Sequence, residues 1–285
     1  MPPWSSWSWL SDTLRVIPAK AGIQLWGMDS DIRIILIIEY DGTNYHGSQW
    51  QANAPTVQAE IEKAIKMLTG EKIRIKMASR TDAGAHARGQ VVGFDSGVAL
   101  PLNAFVDGLN HFLPGDIAVR EAHRVEDSFD VRRRAVSREY EYYMLNSPTR
   151  SPLRQKYAYR VEGDLNIAGM KKASEALVGR HDFASFVASE PTARARRTVR
   201  DVYKAEVSRD GDMIIFKMTA SSFLPHQVRN TVGALIKVGQ GRMTVEEFYD
   251  IVAAGTPGLA GPTAPAAGLC LTRVNYPASF EGDAS

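Results

Sequence analysis

The stretch Arg80-Thr81-Asp82-Ala83-Gly84-Ala85-His86-Ala87 sets one carboxylate between a guanidinium and a turn of small residues. A nearby guanidinium favours the charged form of a carboxylate. Ala83, Gly84, Ala85 and Ala87 leave space for a substrate to approach it closely. His86, four residues after Asp82, adds a candidate general base. On spacing alone a plainer account is favoured, an aspartate that caps a turn and pairs with Arg80, because Asp in glycine-containing turns is ordinary.

Other chemistries find little footing. His46, His86, His111, His123, His181 and His226 lack metal-ligand spacing, and no cysteine cluster accompanies them. No GK[ST] follows a glycine-rich loop, no GxGxxG follows a strand, and there is no GxSxG elbow. The single cysteine, Cys270, rules out an intramolecular disulfide and suits a reducing compartment. Between Leu269 and Leu271 it reads as a small buried hydrophobe rather than a nucleophile.

The 285 residues carry a net charge of only +2. Bulk charge therefore does not point to nucleic acid, but its distribution leaves RNA open. Arg132, Arg133, Arg134 and Arg138 form one basic cluster, and Arg194, Arg196, Arg197 and Arg200 another. Such clusters neutralise phosphates, although basic runs are also ordinary solvated loops. No stretch approaches the roughly 20 apolar residues of a membrane-spanning helix.

The elements that must position Asp82 follow from periodicity. Ile32 to Glu39 reads as a buried strand, followed by the loop YDGTNYHGSQWQANAPT. A helix starts near Thr56, with Val57, Ile61, Ala64, Ile65 and Leu68 on one face and Gly70 at its end. Lys72 to Met77 alternates and reads as the strand that delivers Asp82, and strand character resumes over Val91 to Phe94. A second amphipathic helix runs from Leu102 to Phe112, and a strand from Ile117 to Val125. In the second half, Arg138 to Leu145 is a strand with Tyr140, Tyr142 and Met144 on one face, and Leu165 to Val178 a helix. Val199 to Ser208 and Met213 to Ala220 form a hairpin across Asp210-Gly211. Val228, Val232, Leu235 and Ile236 line a helix, Thr244 and Glu247 form a capping box, and Leu269 to Val274 is the last strand.

This is an α+β chain of two similar halves, each a mostly antiparallel sheet covered by helices, with a cleft between them. The expected boundaries are 28–130 and 131–285. Residues 1–27 have no clear periodicity and no signal-peptide pattern; they read as a poorly ordered extension, with Met28 as the natural start.

RTDAGAHA resembles the catalytic motif of the tRNA pseudouridine synthase A family. YDGTNYHGSQWQ, TVQAEIEKAI, SREYEYYM, GRHDFASF, FLPHQVRNTVGALIKVG and APAAGLCL resemble further motifs of that family, in its order, across about Ile32 to Pro277. Ala85 departs from the pattern by standing where the family has a larger aliphatic residue, and the N-terminal extension has no counterpart.

The resemblance implies an RRM-like (ferredoxin-like) pseudouridine synthase fold and isomerisation of uridine at positions 38, 39 and 40 of the tRNA anticodon stem and loop. It implies Asp82 as the catalytic nucleophile, by attack at C1′, addition at C6 or a glycal-type elimination. By the same resemblance Arg229 pairs with Asp82, Tyr140 stacks on the flipped uracil and accepts or relays its proton, and Arg80 fills the space the nucleotide leaves. His86 then has a structural or backbone-binding role, Tyr142 belongs to the core, and Leu269 packs against the pocket. Further implications are no cofactor or metal, tRNA as partner, a cytoplasmic homodimer, and no membrane association. The alternatives are a non-catalytic structured-RNA-binding protein and, more weakly, an aspartate-dependent glycosidase without its second carboxylate.

Overall fold

In a computed structural model the chain is described over residues 32–187 and 198–277. The N-terminal extension, Met28, Arg194, Arg196 and Arg197 lie outside the described residues.

Five β-branched or leucine residues in succession make Ile34–Ile38 apolar on both faces, and β1 (Ile32–Tyr40) is accordingly central in its part of the sheet. It lies between β3 (His86–Ser96) and β4 (Ile117–Val125), antiparallel to both. Two helices cover this region. α1 (Val57–Thr69) begins at Thr56, whose hydroxyl accepts from the Ala59 N–H, and stops at Gly70 in left-handed backbone. α2 (Leu102–Phe112) turns Phe105 and Leu109 into the core.

The expected strand from Lys72 to Met77 contracts to β2 (Lys76–Met77) on the edge of β3. The side chains of α1 explain the difference. The Ile75 N–H donates to Glu62 Oε1 at 3.1 Å and its carbonyl accepts from Gln58 Nε2 at 3.4 Å, so the backbone there is satisfied without a ladder.

The second half is built on β5 (Ser137–Asn146), which buries Tyr140, Tyr142 and Met144 on one face as the alternation requires. β5 pairs with β9 (Met213–Ala220), which forms the expected hairpin with β8 (Val199–Asp210). Two short strands escaped the periodicity: β6 (Tyr159–Val161) beside β5 and β7 (Gly179–Asp182) beside β8. At three and four residues they owe their strand geometry to their neighbours. The helix expected over Leu165 to Val178 shortens to α3 (Ile167–Glu175), fixed at its start by Asn166, whose side chain accepts from the Gly169 N–H. α4 (Gln227–Gly239) is buried almost all round, and α5 (Val245–Ala254) opens with the Thr244–Glu247 capping box.

The last strand, β10 (Leu269–Asn275), ties the halves together. It runs antiparallel to β5 and parallel to β3, so one ten-stranded sheet with the main path β4-β1-β3-β10-β5-β9-β8-β7 crosses both. Cys270, on this strand, is buried, and burial pushes its thiol pKa up, as fits a packed side chain. No helix among the described residues is long and apolar enough to cross a membrane.

Candidate active site

The chain leaving β2 is gripped on both sides before it reaches Asp82. Gln90, fully buried on β3, accepts from the Ser79 N–H at 3.1 Å and donates to the Ser79 carbonyl at 2.7 Å. Ser48, also fully buried, receives the Thr81 N–H on its Oγ at 2.9 Å, and its own N–H donates to the Thr81 carbonyl at 3.2 Å. The Thr81 hydroxyl is bonded to Tyr40 Oη at 2.8 Å. A tight turn follows, closed by the Ala85 N–H on the Asp82 carbonyl at 3.1 Å. Gly84, at its third position with φ +78, supplies the positive φ that a side chain resists.

The aromatic-rich loop after β1 is the mould for this turn. A Cβ on Gly42 would stand 1.9 Å from the Ala85 carbonyl oxygen, so only glycine allows the two loops to meet there. Buried Ala85 keeps that contact close with little side-chain bulk of its own.

Arg229 arrives from the first turn of α4. Its Nε donates to the Ala264 carbonyl at 2.7 Å and its Nη1 to Asp82 Oδ2 at 2.8 Å. The fork is thus aimed by backbone on one side while it holds the carboxylate on the other. The two side chains are only 16% and 23% exposed, so the pair is better shielded from solvent than an ordinary surface bridge.

Tyr140, on β5, contributes its ring to the same cleft, edge-on to Phe223 with centroids 4.9 Å apart. Its hydroxyl bonds Ser79 Oγ at 2.9 Å. Burial, with a smaller contribution from the Asp82 charge, pushes its pKa up to about 12. Tyr140 is therefore a neutral phenol at physiological pH, a form that can pass a proton through its hydroxyl but is no phenolate base.

Asp82, Tyr140, Arg229, Arg80 and Leu269 thus share one cleft of about 780 Å³, within the usual size of a ligand site. Its walls also present Arg132, Arg200, His46 and His226, and Asp82 is the sole carboxylate among the described residues that line it. The Arg80 guanidinium is exposed and has no hydrogen bond or ion pair among the described residues. A second hollow of about 470 Å³ adjoins the first through Gln49, Arg80 and Arg132, and adds Arg74, Lys76 and Arg133. A chain of net charge +2 has set several arginines about Asp82, with Asp130 as the other carboxylate of the two hollows.

Two sequence assignments sort differently. His86 belongs to the frame: Nδ1 accepts from the Gly42 N–H at 3.1 Å, and Nε2 lies 2.9 Å from the Lys156 carbonyl oxygen. Arg138, which the sequence groups with a phosphate-binding cluster, is buried and donates to the carbonyls of Ala78, Arg132, Ala135 and Ser221. Four backbone acceptors occupy its guanidinium, and it is a strut rather than a phosphate ligand. Sequence reasoning missed the buried braces Ser48 and Gln90 and the partly buried Ser79, which carry no spacing signal. It also passed over His226, whose position after Pro225 was the available sign.

A carboxylate held by arginine in a basic cleft over a mixed sheet suits chemistry on a polyanion. The family model described as tRNA pseudouridine synthase matches residues 36–132 and 173–277. The chain is 44% identical over 245 residues to "tRNA pseudouridine synthase A" of Geobacter sulfurreducens, covering 85% of this chain and 99% of that one. The protein of the same name from Thermoanaerobacter sp. is 42% identical over 85% of this chain and 99% of its own. That from Myxococcus xanthus is 41% identical over 86% of this chain and 92% of its own. The chain belongs to the tRNA pseudouridine synthase family. Among solved structures, the archaeal box H/ACA sRNP Nop10–Cbf5 complex is similar over 72% of this chain and 44% of that one, at 11% identity and TM-score 0.31, too slight a likeness to argue from.

Proposed function

We propose that this chain isomerises uridine to pseudouridine in tRNA, at positions 38, 39 and 40 of the anticodon stem and loop, with Asp82 as the attacking carboxylate. The observation that carries the reading is the Asp82–Arg229 pair, one shielded carboxylate in a cleft to which several arginines also contribute. The reaction breaks the bond from uracil N1 to ribose C1′ and forms one from C5 to C1′. The C5 proton is lost and N1 gains one, so the exchange balances without redox chemistry or a co-substrate.

Each residue has a task in that scheme. Arg229 pairs with Asp82 and aims it. Tyr140 offers its ring to the detached uracil and its hydroxyl, linked to Ser79, to the moving proton. Arg80, exposed at the junction of the two hollows, fills the gap left by the flipped nucleotide. Flipping costs a few kcal/mol, which stacking of about 1–3 kcal/mol per base largely offsets. Arg132 and Arg133 take flanking phosphates.

A non-catalytic RNA-binding role leaves Asp82 unexplained, because a carboxylate among arginines repels the phosphates that binding needs. A glycosidase needs a second carboxylate across the cleft, and the described lining offers none. The reading extends to a cytoplasmic homodimer, supported by the lone buried cysteine and by the family resemblance respectively. Incubating unmodified tRNA with the protein and mapping pseudouridine by nucleotide tests the proposal. New pseudouridine confined to the 3′ side of the anticodon stem-loop is expected; modification elsewhere, or none, contradicts it.

A further inference from the structure

The turn that leads into α4 brings another side chain to Asp82. The Gln227 N–H donates to the Leu224 carbonyl at 3.2 Å, which leaves Pro225 and His226 as the two central residues. His226 lies at φ 60 and ψ 2, the geometry that such a turn requires at its second central position and that glycine or asparagine ordinarily supplies. Among the described residues it is the only non-glycine with positive φ. The turn by itself would be better served by glycine, so what histidine adds is its side chain.

That side chain is 45% exposed and lines the cleft. Its Nε2 stands 3.6 Å from Asp82 Oδ1, the oxygen that Arg229 leaves alone. We propose that His226 is a positioning residue that holds Asp82 Oδ1 while Arg229 holds Oδ2. This rests on Asp82 being the reacting carboxylate, as proposed above. A carboxylate anchored through one oxygen can still rotate about its Cβ–Cγ bond. A donor on the second oxygen fixes its plane, and a well-aimed group gains rate without gaining affinity. At 3.6 Å the contact is longer than a hydrogen bond, and contacts of this kind tighten as a reacting complex forms.

His226→Gly removes the side chain yet keeps, and relaxes, the backbone. Its single-turnover release of tritium from C5-labelled tRNA, its tRNA affinity and its thermal midpoint are to be compared with the parent. The expected result is a midpoint unchanged or raised, affinity within about twofold, and a rate constant lower by about tenfold or more. His226→Gln, whose amide N–H can reach Oδ1, should recover part of the rate. Should the glycine variant not fold, His226→Asn, which also accepts left-handed backbone, gives the same readout. A rate within about twofold of the parent overturns the proposal, as does a loss fully matched by weaker tRNA binding. A parent protein that releases no tritium contradicts the Asp82 reading itself and takes this inference with it.

Discussion

Arg229 Nη1 meets Asp82 Oδ2 at 2.8 Å across 147 residues of chain. The contact joins the turn after β2 to the first turn of α4, so the carboxylate proposed to react is paired only when these two distant segments meet. The same guanidinium is held by the Ala264 carbonyl, so its direction is set by backbone.

That double engagement predicts that lysine cannot replace Arg229. A lysine is a single point charge and cannot span Ala264 and Asp82 as a fork does. Arg229→Lys should lose about 100-fold or more in single-turnover rate, with tRNA affinity changed far less, as when a preorganised charged donor is removed. Rates within a few-fold of the parent would show that charge alone suffices.

Arg138 and Arg132 separate a structural arginine from one proposed to face RNA. Arg138→Ala leaves four backbone carbonyls short of a donor, and urea unfolding should register a loss of about 2–4 kcal/mol. Arg132→Glu with Arg133→Glu should unfold like the parent. It should bind tRNA more weakly, with a log–log salt slope shallower by about one for each phosphate no longer neutralised. An unchanged slope would remove these two residues from the RNA surface.

Tyr140 gives a pH signature. Its pKa is raised by burial from about 10 in the unfolded chain to about 12. The folded state therefore holds this proton more tightly. The associated stability is fully present below pH 10 and is lost as pH rises towards 12, by about 2–3 kcal/mol. Tyr140→Phe has no proton to lose, so its unfolding free energy should fall less than the parent's between pH 9 and 11. Parallel falls would place the phenol's ionisation outside that window.

Much of this was legible in the sequence because the signals are local. The Ile34–Ile38 run, the Thr56 cap, the Asp210-Gly211 hairpin and the Thr244–Glu247 box each declare themselves within a few residues. The Asp82 turn was visible by its small residues, but its importance came from the family motifs, since spacing alone favoured a plain capping aspartate. What was hidden depends on partners distant in sequence. β6 and β7 are strands only because β5 and β8 lie beside them. Arg138 looked like a surface cation until the carbonyls of Ala78 and Ser221 closed around it. His226 gave one clue, a histidine after proline, with meaning only once its backbone and Asp82 are seen together.

The most direct measurement is tritium release from tRNA labelled at uridine C5, for the parent and for Asp82→Ala, with folding and tRNA binding checked for both. The account predicts release by the parent and none above background from a folded, tRNA-binding Asp82→Ala. Comparable release from the two proteins would contradict the role given to Asp82, and binding without release by the parent would contradict isomerisation itself.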